Sequence, residues 1–527
     1  MSPVHTVPEN FQVFDTTLRD GAQQEGLRLS VSDKLRIASL LDELGVTFIE
    51  GGWPGANPND TAFFAEAAKS LTLKHATLVA FGMTTRVGMK ASEDPLVQAL
   101  VDAQTPVICI VAKSHDRHVT DALRTTLDEN LRMVRDTVTY LKAQGKRVFV
   151  DAEHFFDGYR SNPEYALDVV RTAAEAGAEV VVLCDTNGGM LPSWMGEVVS
   201  AASAIGVDLG IHCHNDTGCA VANTIAAVEA GAMHVQGTMN GYGERTGNAD
   251  LVTLIGNLQI KFGWPLIQPQ DLHELTRISH AIAEIANQSP QARQPYTGTS
   301  AFAHKAGLHA SAIKVDEMLY QHADPKVVGN NMRMLISDMA GRANIQIKGE
   351  QLGHDLSDRE TAARVTDRIK DREAQGYSYE AADASFDLLL REELGQLERP
   401  FDVVQWRVFC DQSDLSEAIL RVSTKGDASR LFAGDGNGPV NALDMALRTA
   451  LEPAFPVAAR FELVDYRVRI LDTGHGTDAI VRVLIDTRMD GRNWTTVGVG
   501  SNVIEASYEA LADAYLYGIA VLFAPAA

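Results

Sequence analysis

Over its first 265 residues the chain alternates short apolar runs with longer stretches of helical period. A polar turn separates each pair, and a Gly often closes it. Eight runs read as strands: FQVFD at 11–15, VTFIE at 46–50, HATLVAF at 75–81, PVICIVA at 106–112, RVFVDAE at 147–153, EVVVLCD at 179–185, DLGIHCH at 208–214 and MHVQGTMN at 233–240. Each is rich in Val, Ile or Phe, as a strand buried on both faces should be. The first helical stretch is Ser32 to Leu44, with Ser32 as its N-cap. Leu35, Ala38, Leu41 and Leu44 form one apolar stripe, and Gly45 stops it. Further helical patterns run near 59–70, 93–102, 119–144, 163–176, 192–204, 217–230 and 250–261. Eight strands alternating with eight helices predict an α/β fold, a (β/α)8 TIM barrel. A doubly wound sheet is the rival, and no GxGxxG follows the first strand to support it.

After Trp264 the alternation ends. Residues 1–270 are therefore the expected barrel, and 271–399 a mainly helical linker subdomain covering the active site. From about 400 the segments VVQWRVFC, FELVDYRVRIL and AIVRVLID read as antiparallel strands. GPVNALDMALRTALEP and SNVIEASYEALADAYLYGIAVLF read as helices between and after them. Residues 400–527 are thus expected to form an α+β module, either regulatory and dimerising or a structural cap.

Composition narrows the classes. With 527 residues the chain exceeds one core. No apolar run approaches the roughly 18 residues of a membrane span. The N-terminus, MSPVHTVPENFQ, has no basic region followed by an apolar one, so no secretion leader is expected. Cys109, Cys184, Cys213, Cys219 and Cys410 form no CxxC and fit a reducing cytoplasm. A net charge of −23 argues against nucleic acid and anionic membranes as partners.

The reactive residues crowd at the C-terminal ends of the expected strands, where barrel active sites lie. The first strand is followed by DTTLRDGAQQ, the second ends in Glu50, and the fifth in Asp151-Ala-Glu153. The sixth ends in Asp185-Thr186-Asn187, the seventh in His212-Cys-His214-Asn-Asp216, and the eighth in Asn240 before GYGER. Residues i and i+2 of a strand share a face, so His212 and His214 project together into the mouth. Two imidazoles so placed chelate a divalent metal, with Asp20 as third ligand and Asn240 as a fourth contact. Such a pair could equally hydrogen-bond to neighbours. Arg19 could stabilise an oxyanion, or form a salt bridge to Glu50 or Glu153. Glu153 could be a base, hold a metal-bound water, or pair with Arg19. Thr186 offers a hydroxyl suited to a substrate carboxylate, although a Thr there is more often a helix cap. His304, His309 and Tyr320 lie outside the barrel, where something must cover the mouth and exclude water. Phe81, Met83 and the Trp53 region are the expected wall of the substrate pocket.

DTTLRDGAQ, HCHND and GYGERTGN resemble the signatures of the metal-dependent Claisen-condensing synthases. That family includes 2-isopropylmalate, homocitrate and citramalate synthases, with the lyase for 3-hydroxy-3-methylglutaryl-CoA as a relation. AFAHKAGLHASAI is similar to the synthases' helical subdomain, and GDGNGPVNALDMALR to their allosteric dimerisation domain, which the lyases lack. The resemblance covers nearly the whole chain and implies a synthase. The run GGWPGANPND and the chain length look most like the long citramalate-forming members. It implies acetyl-CoA and pyruvate as substrates, a route to isoleucine, feedback inhibition by isoleucine or leucine, and a homodimer. Residue by residue, it assigns Asp20, His212 and His214 to the metal and Asn240 to a further contact. Arg19 and Thr186 fall to the keto acid, Glu153 to the barrel glutamate near the metal, and His309 with Tyr320 to the acetyl-CoA end. The proton-abstracting base is His309 or Glu153. The metal could be Mg, Mn, Zn or Co, since mixed N/O ligation admits each. The rival activities are the same condensation with another keto acid and a carbon–carbon lyase. A non-catalytic binding protein with a decayed barrel would have lost Arg19, Asp20 or a histidine, and all are present.

Overall fold

The computed structural model describes residues 10–305, 307–335, 342–410, 415–424, 427–471 and 479–523. The first nine residues, on which the leader expectation rests, lie outside these. The eight apolar runs become eight parallel strands: β1 (Gln12–Asp15), β2 (Phe48–Gly52), β3 (Thr77–Met83), β4 (Val107–Lys113), β5 (Arg147–Glu153), β6 (Val180–Asp185), β7 (Asp208–Cys213) and β8 (His234–Gly237). They close in sequence order, with β8 pairing to β1. The expected barrel is therefore the observed one.

Two local expectations change. The first helix spans Val31–Leu44 and its N-cap is Ser30, not Ser32. Ser30 Oγ accepts from Asp33 N at 3.2 Å and the Asp33 carboxylate accepts from Ser30 N at 2.9 Å, so two orphan donors are satisfied reciprocally. The fully buried stripe is Ile37, Ala38, Leu41 and Leu44, with Leu35 only half-buried. The second change is in the expected helix over 119–144. A π turn over His118–Ala122 is followed by Arg124 in the left-handed region (φ 54°), and a new helix, Leu127–Ala143, starts on the Thr126 cap.

Lys34, on the apolar side of the first helix, is buried. Its Nζ donates to Gly51 O at 3.0 Å and pairs with Asp60, whose other carboxylate oxygen accepts from Trp53 N at 2.8 Å. A buried ion pair thus stakes down the loop after β2. Within the barrel, Phe14, Phe48 and Phe149 fill the interior, and Phe48 meets Phe149 edge to face at 5.1 Å.

The chain divides into two compact units. The first runs to Phe302 and includes Ala323–Asn331. It contains the helix Leu275–Ile285, which buries Leu275, Ile278 and Ile282, so the expected boundary at 270 falls inside this unit. The second comprises Ala303–His322 and the chain from Met332 onward. In it β9 (Ala303–His304) pairs with β10 (Arg333–Met334), and four helices follow in part: Gly307–Ile313, Arg342–Gln351, Arg359–Ala374 and Asp383–Glu393. Two antiparallel sheets complete it, β11 (Phe401–Phe409), β12 (Ser416–Thr424) and β13 (Arg430–Gly436), then β14 (Glu462–Ile470), β15 (Val481–Met489) and β16 (Arg492–Gly500). Helices Pro439–Leu451 and Val503–Tyr517 pack on them, as the α+β reading expects. Among the described residues no helix is long and apolar enough to cross a membrane.

Phe149→Ala removes a fully buried ring from the barrel interior. It should cost about 3–5 kcal/mol, read as a lowered urea midpoint of the barrel transition. A midpoint unchanged from the parent would show that the aromatic cluster does not bear on stability.

Candidate metal centre and active site

Asp20 leaves β1 on a short 3-10 turn, Gly21–Gln23, while His212 and His214 stand at the end of β7. The three are buried, and one donor atom of each lies within 4.8 Å of the others. His212 Nε2 is 3.2 Å and His214 Nε2 3.7 Å from Asp20 Oδ2. Burial opposes a charge on Asp20, but Arg19 and His212 hold its carboxyl well below the usual range. Burial opposes a proton on His212 too, yet the hydrogen bond and charge of Asp20 raise it. His214 is pushed down to about 4 by burial and by His212.

Asn240 stands elsewhere. Its Nδ2 donates to Ser279 O at 3.0 Å and Tyr242 Oη at 3.2 Å, and its Oδ1 accepts from Ser279 Oγ at 2.6 Å and Gln294 Nε2 at 3.1 Å. The asparagine at the triad is Asn248. Its Nδ2 donates to Asp20 Oδ2 at 2.9 Å, and its Oδ1 is buried without a partner. The loop after β8 doubles back, with Asn248 bridging to His214 and Gly247 taking φ 88°. Strand spacing pointed to the residue nearest β8, and only this reversal brings Asn248 in. A carboxylate, two imidazoles and an orphaned amide oxygen fit a divalent cation.

Around this centre opens a cavity of about 1070 Å³, lined by Arg19, Asp20, Trp53, Phe81, Met83, Val111, Lys113, Asp151, Glu153, Cys184, Thr186, His212 and His214 among others. Arg19 Nε donates to Glu50 Oε2 at 2.7 Å, so the salt bridge chosen is the one to Glu50. Its guanidinium lies 3.8 Å over the Phe81 ring, and Trp53 meets Phe81 edge to face at 5.6 Å. Burial works against the Arg19 charge, but Glu50, Asp20 and Asp151 together raise its pKa. Burial pushes Glu50 up to about 7 against the pull of Arg19. Glu153 pairs with Lys113 rather than Arg19, and the two are register partners at the ends of β5 and β4. Lys113 was missed because a lysine closing a strand carries no chemistry by spacing alone. Thr186 Oγ1 accepts from His154 N at 2.8 Å, which leaves its hydroxyl hydrogen to donate. In the second unit, His309 and Tyr320 stack with ring centroids 4.2 Å apart.

A closed barrel whose mouth gathers two histidines and an aspartate has the donor set of a metal-dependent enzyme. Residues 10–282 match the HMGL-like family, 296–376 the homocitrate synthase post-HMGL domain-like family, and 380–519 the LeuA allosteric (dimerisation) domain. The chain belongs to the (R)-citramalate synthase family. It is 60% identical to the (R)-citramalate synthase of Streptomyces coelicolor over 98% of both chains. It is 48% identical to that of Synechocystis sp., over 97% of this chain and 96% of the other, and 48% identical to that of Aquifex aeolicus, over 97% and 98%.

Metal binding must displace the proton that Asp20 favours on His212, so affinity should fall as pH is lowered and protons should be released on binding. Calorimetric titrations with Mn²⁺ in two buffers of different ionisation heat measure that release. An affinity flat from about pH 6 to 8 would exclude His212 as a ligand.

Proposed function

We infer that the chain is an acyltransferase that condenses acetyl-CoA with pyruvate and water, giving (R)-citramalate and CoA. The carrying observation is identity of 44–60% to five (R)-citramalate synthases over nearly the whole chain, tail included. The HMGL-like enzymes are metal-dependent, and Asp20, His212 and His214, with Asn248 now in the place first given to Asn240, are the residues that would hold the ion here. When bound, the ion acts as a Lewis acid that polarises the ketone of the keto acid. Which of Mg, Mn, Zn or Co serves is open to metal reconstitution.

The chain's own groups supply the rest. The Thr186 hydroxyl donates to the pyruvate carboxylate, and the Arg19 N–H groups not spent on Glu50 stabilise the charge that develops on the ketone oxygen. Arg19 is pre-set for this by Glu50 on one side and Phe81 beneath it. His309, with Tyr320 against its ring, is the proposed base for the acetyl methyl proton. Glu153, already paired with Lys113, is read as a positioning group. The enolate carbon then attacks the pyruvate ketone. Water cleaves the thioester, so CoA leaves as the thiol and the reaction runs one way. Trp53, Phe81 and Met83 form the wall that accepts a methyl and opposes larger side chains. Each added methylene is a matter of only about 1–3 kcal/mol, so that wall decides the keto acid.

The 380–519 segment supports a dimer with feedback control, and we propose isoleucine as the effector, since (R)-citramalate leads towards that amino acid. Five unpaired cysteines support a cytoplasmic setting.

Three outcomes are expected. CoA release from acetyl-CoA should be seen with pyruvate, and activity with 2-ketoisovalerate but not pyruvate would overturn the assignment. Arg19→Leu should lower kcat by about 10²–10³-fold, by analogy with loss of one oxyanion donor, and a loss under about threefold would remove Arg19 from the chemistry. Isoleucine should inhibit at concentrations where leucine does not. Equal indifference to both would leave the tail a dimerising element.

A further inference from the structure

The barrel interior is not wholly apolar. A line of polar side chains, buried beyond the half-buried Gln12, crosses it from the N-terminal end of β1 to the metal centre. Gln12 Oε1 lies 2.8 Å from His234 Nδ1, His234 Nε2 lies 3.4 Å from Gln236 Nε2, and Gln236 Oε1 lies 2.9 Å from His212 Nδ1. His234 and Gln236 are two apart on β8, so both face inward, and neither is exposed to solvent by more than 1%. Phe14, Phe48 and Phe149 surround the His234 ring at centroid distances of 5.0–6.2 Å. Polar groups in so dry a place cost stability unless each is satisfied, and a line of them calls for a reason.

The donors and acceptors of this line agree in only one way. Asp151 Oδ1 accepts from Gln236 Nε2 at 3.1 Å and from the Cys109 thiol at 3.3 Å. The Gln236 amide nitrogen is therefore turned towards Asp151 and His234. A second donor facing it would clash, so His234 must present its bare Nε2, with its Nδ1 proton given to Gln12. Burial keeps His234 neutral, as this requires, by pushing it down to about 3. The Gln236 oxygen is left facing His212, which must then carry its proton on Nδ1. The proton that Asp20 favours therefore sits on Nε2, 3.2 Å from Asp20 Oδ2, and its loss leaves the lone pair of His212 on that nitrogen. His214 has no such partner, since its Nδ1 is buried and unpaired.

We propose that Gln236 is the positioning residue of the metal centre: anchored by Asp151 and His234, it fixes the tautomer and ring orientation of His212. This rests on reading Asp20, His212 and His214 as metal ligands. Losing an outer partner of this kind typically weakens metal binding by about 10–100-fold.

The test is the Mn²⁺ dissociation constant of the purified full-length chain, by calorimetry, with circular dichroism to establish folding. Gln236→Met keeps the size but removes both amide groups, and should bind about 10–100-fold more weakly than the parent. Gln236→Glu keeps an acceptor towards His212 and should stay within about threefold, a rescue that simple packing damage would not give. Should Gln236→Met fail to fold, Gln236→Asn, one methylene short of the imidazole, takes its place with the same expected loss. A folded Met or Asn variant binding within twofold of the parent overturns the proposal, as does a folded Glu variant as weak as the others. A parent chain that binds no Mn²⁺ at all would instead overturn the metal centre itself, and the proposal with it.

Discussion

The centre depends on keeping Asp20 charged while it is almost out of water. A lone buried carboxylate would take a proton, and here Arg19 and His212 prevent that. Arg19 in turn needs its own counter-charge, which Glu50 provides from the end of β2. Each group is tolerated only because the next is present, and closure of β8 onto β1 is required to bring β7 beside β1 and β2. The two carboxylates end in different states: Asp20 is held ionised, whereas burial draws Glu50 up to about 7. Arg19 thus spends its Nε on Glu50 while the side chain still lines the cavity.

Much of this was legible in the sequence because the barrel obeys simple periodicities. Runs of Val, Ile and Phe marked the strands, and i, i+2 spacing put His212 and His214 on one side. What could not be read were features set by backbone reversal or by long-range pairing. Asn240 and Asn248 both belong to the loop after β8, and only the fold-back of Gly241–Gly247 decides which one reaches Asp20. The burial of Lys34 depends on Asp60, which lies 26 residues away in the chain. Ser30 and Ser32 differ as caps only through the Asp33 side chain that reciprocates with the first.

The same limit applies to the groups that join the centre to the rest of the barrel. Gln236 and His234 sit in a run that reads as an ordinary buried strand, and nothing in MHVQGTMN distinguishes a glutamine satisfied by a helix from one that faces His212. Their meaning appears only when β8 closes on β1 and β7, placing Gln12 at one end of the line and His212 at the other.

The loop that carries Trp53 is held at its backbone by charge as well as by the packing of the Trp53 ring on Phe81. Lys34 and Asp60 grip the backbone at Gly51 and Trp53. A wall mounted in this way behaves like a fixed template. Its faces can be recut, residue by residue, without disturbing the frame on which they hang. Diversification of the accepted keto acid could then proceed by exchanging Trp53 or Met83 while Phe81, the arginine above it and the barrel stay as they are. A family sharing one chemistry across several substrates is what such a separation between frame and surface would yield.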